Sequence, residues 1–163
     1  MKDVLYSSAS EEWETPHDLF RKLWAFFQFD LDACATASNR KVYRYYSKED
    51  DALSIPEWDS RTCVWCNPPY GRKLIEWVKK CDEEHRHGRS VVMLIPARTD
   101  TRYFHDYIYG KYPVLFIRGR LHFNNSKHAA PFPSMLVFMV NEMFLQKMRK
   151  GLLNAKINGG VRQ

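Results

Sequence analysis

The 163-residue chain predicts an α/β protein with a mostly parallel sheet and an antiparallel strand near a C-terminal hairpin. Three observations carry this. Continuous apolar runs at Cys63-Val64-Trp65-Cys66 and Ser90 to Ile95 read as strands buried on both faces, as parallel strands are. Between them Leu74, Trp77, Val78 and Cys81 recur at helical spacing, ending near Gly88. In the last third, Arg120 to Phe123 and Ser134 to Val140 flank the turn-rich loop Asn124 to Pro133, which predicts a long hairpin with its antiparallel strand at the end of the sheet.

The remaining elements follow in order. Thr15-Pro16-His17-Asp18 predicts a helix start, with Thr15 as N-cap, Pro16 at the first helical position and Asp18 three residues after the cap. The helix runs to about Phe27, and Leu19, Leu23 and Phe27, with Phe20 and Trp24 beside them, form a wide stripe to cover a sheet. Phe29 to Cys34 is a strand carrying Asp30 and Asp32 near its carboxyl end, and Asn39 to Asp59 is polar, tyrosine-rich and mostly irregular. A helix from about Asp100 to Tyr109, closed by Gly110, leads to the strand Val114 to Ile117. Asn141 to Lys150 reads as a basic helix, and the tail from Asn154 as frayed.

With 45% hydrophobic and 15% aromatic residues, the chain has material for one domain with a sizeable core, spanning 1–163 with its centre at about 13–150. It holds no uninterrupted apolar stretch of membrane-spanning length, and Met1 to Glu14 lacks the basic-then-apolar order of a signal peptide. These features predict a soluble, cytoplasmic protein without a membrane partner. The net charge of +6 suits a polyanionic partner. Cys63 and Cys66 have zinc-knuckle spacing, but in a strand residues three apart point to opposite faces, so buried reduced thiols are expected and no metal.

The tetrapeptide Asn67-Pro68-Pro69-Tyr70 stands between a strand and a helix, where parallel α/β sheets carry their catalytic loops. Two prolines hold it extended. The amine of adenine is a poor nucleophile because its lone pair is delocalised into the ring. Two acceptors aimed at its N–H groups would restore nucleophilicity, and the Asn67 side-chain oxygen and the Pro68 carbonyl are suited to this. Tyr70 offers a flat face for a base lifted out of a duplex, an interaction worth about 1–3 kcal/mol. The same residues also suit a proline-stiffened turn with a packing tyrosine.

On these residues the chain, from about Trp13 to Val140, resembles the compact phage-type DNA N6-adenine methyltransferases, S-adenosylmethionine-dependent enzymes with an NPPY motif. The resemblance implies a truncated Rossmann-like class I methyltransferase sheet and methylation of adenine N6 in double-stranded DNA after base flipping. It implies a catalytic loop at Asn67, Pro68, Pro69 and Tyr70. It places S-adenosyl-L-methionine against Trp13, Thr15, Pro16, Asp32, Ala33, Cys34, Asp51, Ala52 and Asn67. Glu49 and Asp50 are candidates for the ribose. The usual glycine-rich turn is replaced by Ala35-Thr36-Ala37-Ser38, and only 34 residues lie between Asp32 and Asn67, too few for two further βα units.

DNA contacts are expected from Tyr70, Arg72, Lys73, Arg98, Arg120, Lys127 and Phe132, with Arg40, Lys41, Arg44 and Arg118 as further basic groups and Phe123 as an alternative stacking ring. The family resemblance further suggests a monomer or weak dimer in the bacterial cytoplasm, phage- or prophage-encoded. Two other readings stay open: an RNA adenine or protein glutamine N-methyltransferase, since NPPY loops serve there too, and a DNA-binding relative without turnover.

Overall fold

A computed structural model describes residues 12–152 of the chain. The predicted frayed tail from Asn154 and most of the N-terminal reading, residues 1–11, lie outside these. Among the described residues four α-helices and five strands follow in the order α1 His17–Phe27, β1 Leu31–Asp32, β2 Val64–Cys66, α2 Leu74–Arg86, β3 Val91–Pro96, α3 Arg102–Tyr107, β4 Val114–Phe116, β5 Ser134–Met139 and α4 Glu142–Lys147. A π turn, Met148–Leu152, continues α4. The strands form one mixed sheet in the order β1-β2-β3-β5-β4.

β1, β2 and β3 are parallel, and β5 runs antiparallel to both β3 and β4. This corrects the hairpin expectation. Arg120 to Phe123 is not a strand, and β5 lies inside the sheet, with Val91 opposite Met139 at one end and Pro96 opposite Ser134 at the other. The burial of Leu121 and Phe123 around an exposed His122 imitates strand alternation, but the segment makes only one backbone bond to the far side of its loop, from Ala130 N–H to the Leu121 carbonyl at 2.8 Å. β5 is buried along its whole length, as an interior strand must be, whereas β4 ends at the half-exposed Phe116.

The helix α1 ends at Phe27 as its pattern requires, with Gln28 closing it in the left-handed conformation. Its start differs from expectation: Pro16 is the capping residue and no side chain caps the helix, because the Thr15 hydroxyl is committed to Asn67. Leu19, Phe20, Leu23 and Phe27 cover the sheet, while Trp24 turns outward at 48% exposure. α4 is capped by Asn141, whose side chain accepts the Phe144 N–H at 3.2 Å.

β1 is shorter than the apolar run around it. Its outer edge is covered by the irregular segment at 44–46, through bonds from Asp32 N–H to the Arg44 carbonyl and from Tyr46 N–H to the Asp32 carbonyl, both 2.9 Å. An irregular segment thus occupies the sheet edge beyond β1. Among the described residues no helix is long and apolar enough to cross a membrane.

Candidate active site

The carboxyl ends of β1 and β2 present Asp32 and Asn67 to one cavity of about 520 Å³. That size lies within the range of small-ligand pockets, roughly 300–1,000 Å³. Every residue expected to touch the cofactor lines it except Pro16, which stiffens the exit of the Glu12–Thr15 segment into α1.

Asn67 is fixed by its neighbours. Its amide nitrogen donates to the Trp13 carbonyl and, at 2.9 Å, to the Thr15 hydroxyl. Both amide hydrogens are therefore spent on one segment, and the orientation of the side-chain oxygen is determined. That oxygen accepts from Tyr70 at 2.8 Å and keeps a second lone pair. The Pro68 carbonyl accepts no hydrogen bond among the described residues. Two acceptors thus stand side by side on a stiff loop.

Tyr70 is buried, and its single hydroxyl hydrogen is shared between Asn67 Oδ1 and the Leu94 carbonyl at 3.0 Å. Burial, with Cys66 and Tyr103 nearby, holds its phenol well above the usual range, so it is a neutral donor. Its ring meets Phe132 at 5.5 Å and Phe123 at 6.2 Å, both edge-on, and Trp13 closes the group at 5.1 Å from Phe132 and 5.2 Å from Phe123. Of the two proposed stacking partners, Phe123 is core at 1% exposure, while Phe132 is half-buried at the loop.

Asp32 is 2% exposed and accepts the Lys41 N–H at 3.0 Å and the Cys34 N–H at 3.3 Å. Burial pushes its carboxyl up to about 7, against the two N–H bonds and the Lys41 charge. Asp30 serves the fold instead, accepting from Ser60 at 2.6 Å and from Arg61 N–H at 2.8 Å; burial raises its pKa, but these bonds outweigh that and hold it low. Cys34 faces the cavity as a neutral thiol, held up by burial and by Cys66 and Asp32. Cys63, Cys66 and Cys81 are buried thiols.

The turn that replaces a glycine-rich one is closed by side chains. Thr36 N–H donates to Asn39 Oδ1 at 2.7 Å and Asn39 N–H to the Thr36 hydroxyl at 3.3 Å. Among the described residues positive φ occurs only at Gln28, Asp51, Gly88, Gly110 and Gly119, so nothing in this turn demands glycine. Asp51, at φ 47°, and Ala52 form a second wall, anchored by the bond from Trp58 Nε1 to the Ala52 carbonyl at 2.8 Å. Asp50 is occupied by Ser47, and neither it nor Glu49 lines the cavity.

The buried Asp32 carboxyl, the Asp51 carboxyl and apolar surfaces from Leu53, Pro68 and Trp77, all lining one cavity, fit a ligand with cationic and aromatic parts. Outside the cavity, Arg72, Arg98, Arg120 and Lys127 are exposed, as is Lys73 at its rim, and none forms an ion pair among the described residues. Lys41 and Arg44, by contrast, are paired with Glu14 and with Asp30 and Asp59, and Arg40 lies over Tyr43 and Tyr45.

A family model for DNA N-6-adenine-methyltransferase (Dam) matches residues 3–150. The chain belongs to the DNA N-6-adenine-methyltransferase family. A DNA N-6-adenine-methyltransferase of Haemophilus phage HP1 (strain HP1c1) is 30% identical over 123 residues, 74% of this chain and 70% of that protein. A protein of the same name from Escherichia phage T1 is 37% identical over 93 residues, 56% of this chain but only 38% of that one. The chain thus spans well under half of the T1 relative and about two thirds of the HP1 one.

The cavity wall also includes residues that the sequence alone did not single out as site residues, among them Lys48, Trp77 and Asn125. Trp77 read only as helix core. Asn125 sits in a loop whose only visible signal was turn composition.

Proposed function

We propose that the chain transfers a methyl group from S-adenosylmethionine to the N6 amine of adenine in DNA, using a truncated Rossmann-like class I sheet as its frame. The observation that carries the reading is the fixed Asn67 side chain: its amide hydrogens are consumed by Trp13 and Thr15, so a free lone pair of Oδ1 stands beside the unengaged Pro68 carbonyl.

The cofactor supplies an electrophilic methyl group on a sulfonium centre. Asp32 at one wall would take its ammonium-bearing end, Asp51 its adenine amine, and Leu53, Pro68 and Trp77 its rings. Asn67 and Pro68 would each accept one N6 hydrogen, drawing the amine out of conjugation so that its lone pair is directed into the cavity. The surplus proton after transfer leaves through these acceptors to solvent. The target base enters by separating Phe132 from Tyr70, whose edge-on rings occupy that space; the unpaired Arg72, Lys73, Arg98, Arg120 and Lys127 hold the phosphates around it.

The test is incubation with methyl-labelled S-adenosylmethionine and unmethylated genomic DNA, followed by digestion to nucleosides. Label in N6-methyladenine is expected. Cofactor uptake with label only in RNA or protein would replace the acceptor, and uptake without any transfer would replace the enzymatic reading with that of a DNA-binding relative.

A further inference from the structure

The segment Glu12–Thr15, which supplies both acceptors of the Asn67 amide, has no regular secondary structure of its own. It is held by two consecutive residues more than a hundred positions away, through three side-chain bonds and one backbone bond. Asn125 Oδ1 accepts the Glu14 N–H at 2.9 Å, and its amide donates to the Glu12 carbonyl at 3.0 Å. Asn124 N–H donates to the Glu14 carbonyl at 3.0 Å, and its side-chain amide donates to the Thr15 carbonyl at 3.1 Å. The backbone between Glu12 and Thr15 is thus bonded at four points by a pair of exposed asparagines. A fifth tie, between Glu14 and Lys41 at 3.6 Å, joins the segment to the residue whose N–H bonds Asp32.

An asparagine at the surface gains little by binding backbone instead of water, since a typical exchange contributes only about 1 kcal/mol. What these bonds accomplish is placement. The Trp13 carbonyl and the Thr15 hydroxyl lie directly beside the bonded Glu14 and can face Asn67 together only while the segment keeps this course. The same loop carries Lys127 and Phe132, so its position at the target side is tied to the orientation of the acceptor.

We propose that Asn124 and Asn125 are positioning residues for methyl transfer, holding Glu12–Thr15 where Trp13 and Thr15 orient the Asn67 amide. This rests on the function proposed above. It assigns to Asn124 and Asn125 a role in turnover separate from DNA affinity, because neither carries charge, whereas the phosphate-binding role on this loop falls to Lys127.

The experiment compares Asn124→Ala and Asn125→Ala with the parent chain at saturating cofactor, measuring kcat, the KM for DNA, the melting temperature and exchange of the Glu14 amide hydrogen. Both substitutions are at exposed positions, so folding should survive with melting within a few degrees of the parent. The expected result is a kcat lowered about ten- to a hundredfold by misplacement of the acceptor, a KM for DNA within about twofold, and faster Glu14 exchange in Asn125→Ala. An unchanged kcat, or a lowered kcat with unaltered Glu14 exchange in Asn125→Ala, would overturn the proposal. Failure of the parent chain to methylate DNA would instead reject the underlying function; the clamp would then be judged on Glu14 exchange and S-adenosylmethionine affinity, and no change in either would reject it too.

Discussion

The Tyr70 hydroxyl donates to Asn67 Oδ1 across 2.8 Å, so the fourth residue of the loop steadies the first. The tyrosine's hydroxyl is thereby a part of the acceptor's support, whatever its ring does for a base. Tyr70→Phe keeps the ring and removes this bond and the one to the Leu94 carbonyl. The expected stability loss is about 1–3 kcal/mol for a buried acceptor left short of a donor, with turnover lowered about tenfold and cofactor affinity unchanged. Thermal unfolding and steady-state kinetics on the same preparation check this.

Asp32 gives a pH dependence with a definite sign. Its carboxyl is raised by burial to about 7 from an ordinary 3.8, so the folded state holds a proton the unfolded state has released. Stability from this group is therefore fully present below about pH 4 and is lost as pH rises to about 7, then levels off. A cationic ligand favours the ionised form. S-adenosylmethionine affinity should accordingly rise with pH up to about 7, by at most about tenfold per unit, with proton release on binding. Calorimetry in buffers of different ionisation enthalpy measures both quantities, and Asp32→Asn should weaken binding and flatten the profile.

Trp58 is fully buried and its indole N–H holds the Ala52 carbonyl next to Asp51. Replacement by Phe removes the bond and leaves a void, at a cost of about 1–3 kcal/mol. Because the Asp51 turn borders the cavity, the same variant should also lose cofactor affinity several-fold. Denaturant unfolding and isothermal titration would show both effects, whereas a purely structural Trp58 would show the first alone.

Arg120 and Lys127 are exposed and unpaired among the described residues, on the loop region that carries Phe132. Each change to Ala should weaken DNA binding similarly across sequences and lower the slope of log affinity against log salt by about 1. Cofactor affinity should not move. Fluorescence anisotropy over a salt series decides between this and a solvated-surface role.

Much of the frame was legible in the sequence because burial on both faces writes a plain apolar signal at Val64–Cys66 and Val91–Pro96. The placement of β5 was not, since an interior antiparallel strand and an edge one look alike until their partners are known, and Leu121 and Phe123 are buried without belonging to any strand. Of the cavity residues, Trp13, Thr15, Asp32, Ala33, Cys34, Asp51 and Ala52 were accessible through the family's motifs, whereas Lys48 and Trp77 were not. Their supports were not: the Thr15 hydroxyl that suggests a helix cap binds Asn67 instead, and Asn124 and Asn125 act across more than a hundred residues, where local pattern carries no information.

In the proposed reaction Asn67 acts on the reacting amine and only secondarily on the cofactor. Single-turnover methyl transfer to duplex DNA by Asn67→Ala, alongside its S-adenosylmethionine affinity, tests this most directly. The expected result is a rate lowered by at least about a hundredfold, as for loss of a preorganised polar group at a reacting centre, with affinity lowered by less than about tenfold. Equal losses in rate and affinity would contradict it.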